Sequence, residues 1–333
     1  MFVGMGVAMT NVSVFLAESA EVEPDAVALR CGAASATYSE LANDAARLAD
    51  CLINGGVRPG DRVAIMLPNG PTFVAVLYGI WYAGGVAVPM SPSQSARGVE
   101  YVLTISRSKV LLFAPRRAVA TAVAAVTAGT QPIILGKHGI SRLIAGFRDR
   151  AEPVSRDADD TAVVLHTIAT SSVPWWAELA HSDLISNQTA IARKPLNLEP
   201  ADVVMGCLPL WDGFGMVCAL LGTMFAAATL VLPPRFNAHT AVKTIAAQNV
   251  TVFEGEPDMY PAMLEAADRC GLDFTSLRVC MSVGASLPVD VLRRFEDRFG
   301  CIILEGYELM NRRMMCFRHP ELIIDAKSER SDD

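Results

Sequence analysis

Charge is scarce in this chain. Only 19% of its 333 residues are Asp, Glu, Lys or Arg, and 28 basic against 35 acidic residues leave a net charge of −7. No block of five like charges occurs, which excludes a nucleic-acid binder led by a basic footprint. A disulfide framework is also lacking: the eight cysteines, at 31, 51, 207, 218, 270, 280, 301 and 316, form no CxxC. Most lie in apolar runs such as Arg278-Val279-Cys280-Met281 and read as small buried hydrophobes in a reducing compartment. The histidines at 138, 166, 181, 239 and 319 form no HxxxH or HxH pair, so no metal site is expected. Neither GxxxxGK[ST] nor GxGxxG followed by an acidic residue is found, and Ser282-Val283-Gly284 lacks the Gly-x-Ser-x-Gly of a nucleophile elbow. Residues Met1 to Met9 carry no basic n-region; they read as an upstream start before Met9, and the protein is expected in the cytoplasm.

Apolar residues are abundant, at 52%. At ~150 residues per domain the length suggests two domains, and roughly three-quarters of the unfolded surface should be buried. Disordered, collagenous and coiled-coil chains need other compositions. Two stretches hold no charge, Thr72 to Met90 and Gly213 to Pro234, and by length each could cross a membrane. The first breaks at Gly84-Gly85 before Val86-Ala87-Val88-Pro89; the second contains Gly222 and ends in Ala228-Thr229-Leu230-Val231-Leu232-Pro233. Each reads as a buried helix, a glycine stop and a buried strand, with no transmembrane segment.

The rest alternates in the same way. Thr37-Tyr38-Ser39-Glu40 has the form of a capping box, and Leu41, Ala45, Leu48 and Leu52 share one helix face before Gly55-Gly56 ends it. Strands are expected at 63–67, 86–88, 110–113 and 132–135, with helices at 71–83 and 117–128. A second series runs through strands near 162–165, 203–205, 229–232, 250–253, 277–281 and 301–304, with helices at 182–193, 215–226, 238–248, 257–268 and 288–299. Such alternation implies mostly parallel sheets covered on both faces. The expected organisation is an N-terminal extension (1–11), a first α/β lobe (12–145), a charged linker (146–160), a second lobe (161–320) and a polar tail (321–333).

Taken in order, several segments resemble adenylate-forming acyl-CoA synthetases, the superfamily of fatty-acid–CoA ligases and luciferase. They are Thr37-Tyr38-Ser39-Glu40-Leu41, Gly60-Asp61-Arg62-Val63-Ala64, Leu67-Pro68-Asn69-Gly70-Pro71, Ala83-Gly84-Gly85-Val86-Ala87-Val88-Pro89-Met90, Leu208-Pro209-Leu210-Trp211, Val250-Thr251-Val252-Phe253-Glu254-Gly255, Gly284-Ala285-Ser286-Leu287-Pro288 and Leu304-Glu305-Gly306-Tyr307. The resemblance implies two stacked α/β lobes like the large N-terminal domain of those enzymes. It also implies a two-step chemistry: a carboxylate attacks the α-phosphate of ATP·Mg, then a thiol such as CoA takes the acyl group.

Against that family the chain departs in four places. The phosphate loop, Tyr-Thr-Ser-Gly-Thr-Thr-Gly-x-Pro-Lys-Gly in the family, reads here His166-Thr167-Ile168-Ala169-Thr170-Ser171-Ser172-Val173-Pro174-Trp175-Trp176. Thr167, Thr170, Ser171 and Pro174 persist, but Ala169, Ser172 and Trp176 replace the glycines that let backbone approach phosphate, and Trp175 replaces the lysine. The motif Tyr-Gly-Leu-Ser/Thr-Glu-Thr reads Tyr307-Glu308-Leu309-Met310-Asn311-Arg312, so the magnesium-ligand position holds the neutral Asn311. Asp212 stands for the family histidine in Trp211-Asp212-Gly213-Phe214-Gly215, and Val283 for a glycine beside the acyl site. Beyond His319-Pro320 the family's β-barrel subdomain and lysine-bearing lid are expected to be missing.

The resemblance assigns residual nucleotide binding to Gly284, Ala285, Glu305, Gly306, Tyr307, Asn311 and Arg312, and an acyl pocket to Trp211, Asp212 and Val283. No catalytic residue is expected to be intact. Three readings stay open. The first is an acyl-CoA synthetase-like protein unable to complete adenylation alone, keeping at most acyl or adenine binding. The second is a working fatty-acid–CoA ligase using Arg312 and Arg313, with ATP, AMP and Mg as cofactors only in that case. The third is a non-catalytic partner of a complete ligase; the candidate partners are a fatty acid or acyl ligand and another protein.

Overall fold

The computed structural model describes residues 11–116, 118–136, 138–147, 152–167, 175–193, 196–233, 235–308 and 315–318. Nearly all of the expected extension and the whole polar tail lie outside these. The chain forms two compact units, Met1–Asp25 with Tyr38–Ser186, and Ala26–Thr37 with Asn187–Asp333.

Helix α1 (Val14–Val22) opens the first unit. The hairpin β1 (Val27–Cys31) and β2 (Ala34–Thr37) follows and belongs to the second unit. Back in the first come α2 (Tyr38–Asn54), β3 (Arg62–Met66), α3 (Pro71–Tyr82), β4 (Val86–Pro89), α4 (Ala96–Ser106), β5 (Val110–Phe113), α5 (Ala118–Thr127), β6 (Gln131–Ile134), α6 (Ser141–Ile144), β7 (Thr161–Thr167) and β8 (Trp175–Ala180). The six strands stand in the order β6-β5-β3-β4-β7-β8, all parallel except β8.

The charge-free stretch at 72–90 is the buried helix and strand its composition called for. Every residue of α3 from Phe73 to Tyr82 is buried, each large apolar side chain contributing roughly 1.5–3 kcal/mol. Gly79 is required there: a Cβ would lie 2.9 Å from a Leu48 methyl and 3.0 Å from the Ala45 carbonyl, so its absence lets α3 press onto α2. On the opposite face, Ala64, Met66, Val88, Leu111, Phe113 and Val164 form the centre of the core beneath α4 and α5.

The units do not divide at the expected linker. The strand following it, β7, pairs with β4 and completes the first sheet, and β8 folds back along β7. Much of 146–160 is itself docked: the Val154 amide donates to the Tyr82 carbonyl at 2.8 Å, and Asn11 Nδ2 donates to the Val154 carbonyl at 2.9 Å. Pairing of strands, not local charge, sets the boundary near residue 186.

The second unit continues through α7 (His181–Arg193), which straddles that boundary, then β9 (Val203–Gly206), a π-helix (Gly215–Leu221), α8 (Gly222–Phe225), β10 (Thr229–Val231), α9 (Ala238–Gln248), β11 (Val252–Gly255), α10 (Met259–Cys270), β12 (Val279–Val283), α11 (Val289–Phe299), β13 (Ile302–Glu308) and β14 (Met315–Arg318). Its eight strands run β14-β13-β12-β11-β9-β10-β1-β2, six inner strands parallel and the two edges antiparallel. Gly222 does not stop the second charge-free helix; it begins α8. The turn before β10 falls at Ala227, with φ +54°.

At the amino ends of β9, β11 and β12 the unit is tied by one ion pair. Arg278 donates through Nη2 to Asp202 Oδ2 at 2.7 Å and through Nε to Oδ1 at 3.0 Å, and Thr251 Oγ1 donates to Oδ1 at 2.6 Å. Burial works to raise the Asp202 pKa, but the hydrogen bonds from Arg278 and Thr251 outweigh it and hold the carboxyl below its ordinary range.

Candidate functional site

Open parallel sheets present ligands at the carboxyl ends of their strands, and there the second unit gathers most of the residues singled out in its sequence. β12 ends in Val283, which is buried, and the chain leaves through the exposed Gly284, Ala285 and Ser286. Gly284 has φ +103°, a conformation that suits glycine. The loop is anchored by Glu305 of β13, whose Oε1 accepts a hydrogen bond from the Leu287 amide at 2.7 Å. Register sets Ser282 beside Glu305 and Val283 beside Gly306, with Tyr307 next along β13 opposite Cys316 of β14.

The loop after β9 leads into the π-helix through Trp211 and Asp212. Asp212 is exposed and holds the helix entry: its Oδ1 accepts from the Phe214 amide at 3.0 Å, and its amide donates to the Pro209 carbonyl at 3.1 Å. The helix winding shifts the backbone pairing, and Gln188 Nε2 donates to the Val217 carbonyl. π-Helical turns are rare and collect at functional sites. Gly215 is fixed by contact, since a Cβ would lie 2.3 Å from the Pro209 carbonyl oxygen. Gly215→Ala is therefore expected to cost about 1–3 kcal/mol through overpacking, read as a lowered midpoint in thermal denaturation; an unchanged midpoint contradicts this packing.

One residue at these strand ends was not singled out beforehand. Glu254 of β11 is 1% exposed, and neither carboxylate oxygen has a hydrogen-bond partner among the described residues. Burial raises its pKa to about 8. The neighbouring Cys207, whose amide donates to the Glu254 carbonyl at 3.2 Å, has its thiol pushed up by burial and then by the Glu254 charge. A carboxylate inside the run Val250-Thr251-Val252-Phe253-Glu254 was the available sequence signal, because a strand this apolar is buried on both faces.

The other half of the expected site lies in the first unit. Thr167 ends β7 opposite Trp175, which starts β8, and Trp176 pairs with His166. Trp176, at the last glycine of the family loop, packs against the core cluster of the first sheet, its ring centroid 6.0 Å from that of His166. Burial lowers the His166 pKa to about 4. Thr170, Ser171, Asn311 and Arg312 lie outside the described residues, as does Arg313. Among the described residues no group of three His, Cys, Asp or Glu is placed to hold a metal ion, and no helix is long and apolar enough to cross a membrane.

Comparison with known proteins agrees with this architecture. The family model described as AMP-binding enzyme matches residues 16–309. Feruloyl-CoA synthase of Amycolatopsis sp is 31% identical over 294 residues, covering 86% of this chain and 57% of that protein. A long-chain-fatty-acid–CoA ligase of Bacillus subtilis is 26% identical over 328 residues, covering 88% of this chain and 59% of the ligase. The solved structure of apo MatB from Rhodopseudomonas palustris superposes with a TM-score of 0.83 at 25% identity, covering 93% of this chain and 62% of that one. The chain thus spans a little under three-fifths of the curated relatives it matches. With its fold, its strand-end loops and this family match in agreement, the chain belongs to the AMP-binding enzymes, the adenylate-forming superfamily that includes the acyl-CoA ligases.

Proposed function

We propose that this chain binds a carboxylic acid, and at most the adenine end of a nucleotide, at the strand ends of its second unit, and that it does not carry acyl adenylation through by itself. The observation that carries this reading is Trp176. Family chemistry needs a glycine there so that backbone can cradle phosphate; here an indole is packed against the core of the first sheet. Trp175 beside it replaces the family's cation, and Asn311 is a neutral group at the position of a magnesium ligand. These residues do not fit a triphosphate with its magnesium ion.

Acid binding is supported from the other side. The Gly284–Leu287 loop keeps its glycine conformation and its Glu305 anchor. The relatives' names specify feruloyl, long-chain fatty, benzoate, oxalate and sulfoacetate acids, all carboxylic acids, and Val283 and the π-helix at these strand ends are apolar and buried.

The test is ATP–pyrophosphate exchange on the purified chain, with magnesium and a panel of fatty and aryl acids, run beside calorimetric titrations with AMP and the same acids. Exchange at the no-acid blank together with measurable acid binding is expected. Exchange above the blank overturns the non-catalytic part and directs attention to Arg312 and Arg313. Absence of both acid and AMP binding leaves a protein-partner role as the surviving alternative.

A further inference from the structure

At the free edge of the first sheet lies a cavity of about 570 Å³, lined by Ile133, Ile134, Leu135, His138, Arg142 and Leu143. Small-molecule pockets run from roughly 300 to 1,000 Å³. Among the described residues, none assigned above to nucleotide or acyl binding lines it. Strand β6 pairs with β5 alone, the Gln131 and Leu135 amides donating to the Lys109 and Phe113 carbonyls at 2.9 and 2.8 Å. Its other edge is open, and Pro132, which has no N–H to leave unpaired there, suits that place. Side chains alternate between the faces of a strand. Ile133 and Ile134 therefore reach the cavity from opposite faces, and the cavity wraps the open edge. Two glycines shape the loop beyond it. At Gly136 a Cβ would meet no atom within 4 Å, so the backbone there borders open space. At Gly139, with φ +55°, a Cβ would lie 2.6 Å from Thr72 Oγ1, so this turn is pressed against the start of α3 before the chain enters α6.

We propose that this cavity is a second ligand site, for a small amphipathic monoanion with an apolar body and one carboxylate or sulfate head. The body is called for by Ile133, Ile134, Leu135 and Leu143. Ile134 is 50% exposed, apolar surface that a ligand would remove from water. The head is called for by Arg142. Its side chain is exposed, and among the described residues no acidic side chain pairs with it. Arg62, Lys109 and Arg156 of the same unit are instead paired with Glu178, Asp61 and Asp160. A guanidinium fork matches the oxygens of such a head, and His138 adds a donor to the rim. The surrounding charge has the same sign: residues 91–146 hold seven Arg and Lys against the single acid Glu100, in a chain of net charge −7. That balance disfavours an ammonium, and one guanidinium in the described lining fits a single head better than a polyphosphate.

The experiment follows the methyl resonances of Ile133 and Ile134 in the full chain, assigned through Ile133→Val and Ile134→Val, during titration with octanoate, octyl sulfate and 1-octanol. Both anions should shift these methyls saturably and bind about tenfold more tightly than octanol, the scale of one hydrogen bond to a charged group. Added salt should weaken the anions and leave octanol unchanged. Arg142→Gln should weaken both anions about tenfold without changing octanol binding or the melting temperature, and Arg142→Lys should recover part of the loss. Because the methyls report on the first unit alone, the result is independent of acid binding in the second. Octanoate shifts confined to second-unit methyls, octanol binding as tight as that of the anions, or undiminished anion affinity in Arg142→Gln each overturn the inference. Recruitment to phosphatidylglycerol vesicles with no response to the soluble anions overturns it in favour of a membrane contact.

Discussion

Replacing Glu254 by leucine is expected to stabilise the protein increasingly as pH rises from 5 to 8. In the folded chain the carboxyl titrates near 8, against an ordinary value of 4.5. Between those values the unfolded chain has released its proton while the folded chain retains it. The unfolded state therefore binds fewer protons, and stability falls as pH rises, by at most about 1.4 kcal/mol per pH unit. Over three units the gap between wild type and Glu254→Leu should widen by on the order of 3 kcal/mol.

The difference between the two proteins is the quantity to follow, because two histidines act in the opposite sense. His166 and His181, each lowered by burial to about 4, are neutral in the folded chain while the unfolded chain takes up protons below about 6.5. They make wild-type stability rise with pH between 4 and 6.5, and cancel in the comparison. Denaturant unfolding of both proteins at half-unit steps reads the effect. Parallel curves from pH 5 to 8 would show that Glu254 is ionised in the folded state, and so has a partner.

Asp202→Ala is the second large effect, expected to cost about 2–3 kcal/mol. It removes the acceptor of two guanidinium hydrogen bonds and of Thr251 Oγ1, and of the Glu199 amide at 2.9 Å. The loss stays below that of a fully buried pair because the Arg278 side chain is 39% exposed, so water can reach the abandoned guanidinium, which also keeps the carbonyls of Leu196 and Asn197. A domain of this size should lose roughly 2–4 °C of melting temperature per kcal/mol. Asp202→Asn, which keeps an acceptor without the charge, should fall between. A melting temperature within 1–2 °C of wild type for the alanine variant, roughly the scale of 0.5 kcal/mol, would mean that the amino ends of β9, β11 and β12 are held by the sheet alone.

Much of this fold is written in residue order. Runs such as Val110-Leu111-Leu112-Phe113 and Val279-Cys280-Met281 can only be strands covered on both faces, and β5 matches its expected bounds. Helix α9 also matches, 238–248, because Asn237 caps it through the Thr240 amide and Asn249 ends it with φ +51°; both ends are local chemistry. The hairpin β1–β2 was not foreseen. Val27–Cys31 is too short to declare itself and is stabilised by pairing with Leu230 and Val231, some two hundred residues on.

What the sequence determined by itself is the family, the alternation of buried strands and helices, and the loss of glycine and lysine from the phosphate loop, because each depends on residue type at a local position. Tertiary structure alone decided the rest. It put β7 and β8 in the first sheet and turned Trp176 onto that sheet's core. It wound residues 215–221 as a π-helix against Pro209, and left Glu254 buried without a partner beside a glycine. Each of these depends on which strand pairs with which and what lies across the sheet. Much of that information lies in contacts such as Ala87 with Val163 and Gly206 with Glu254, which no short window of sequence contains.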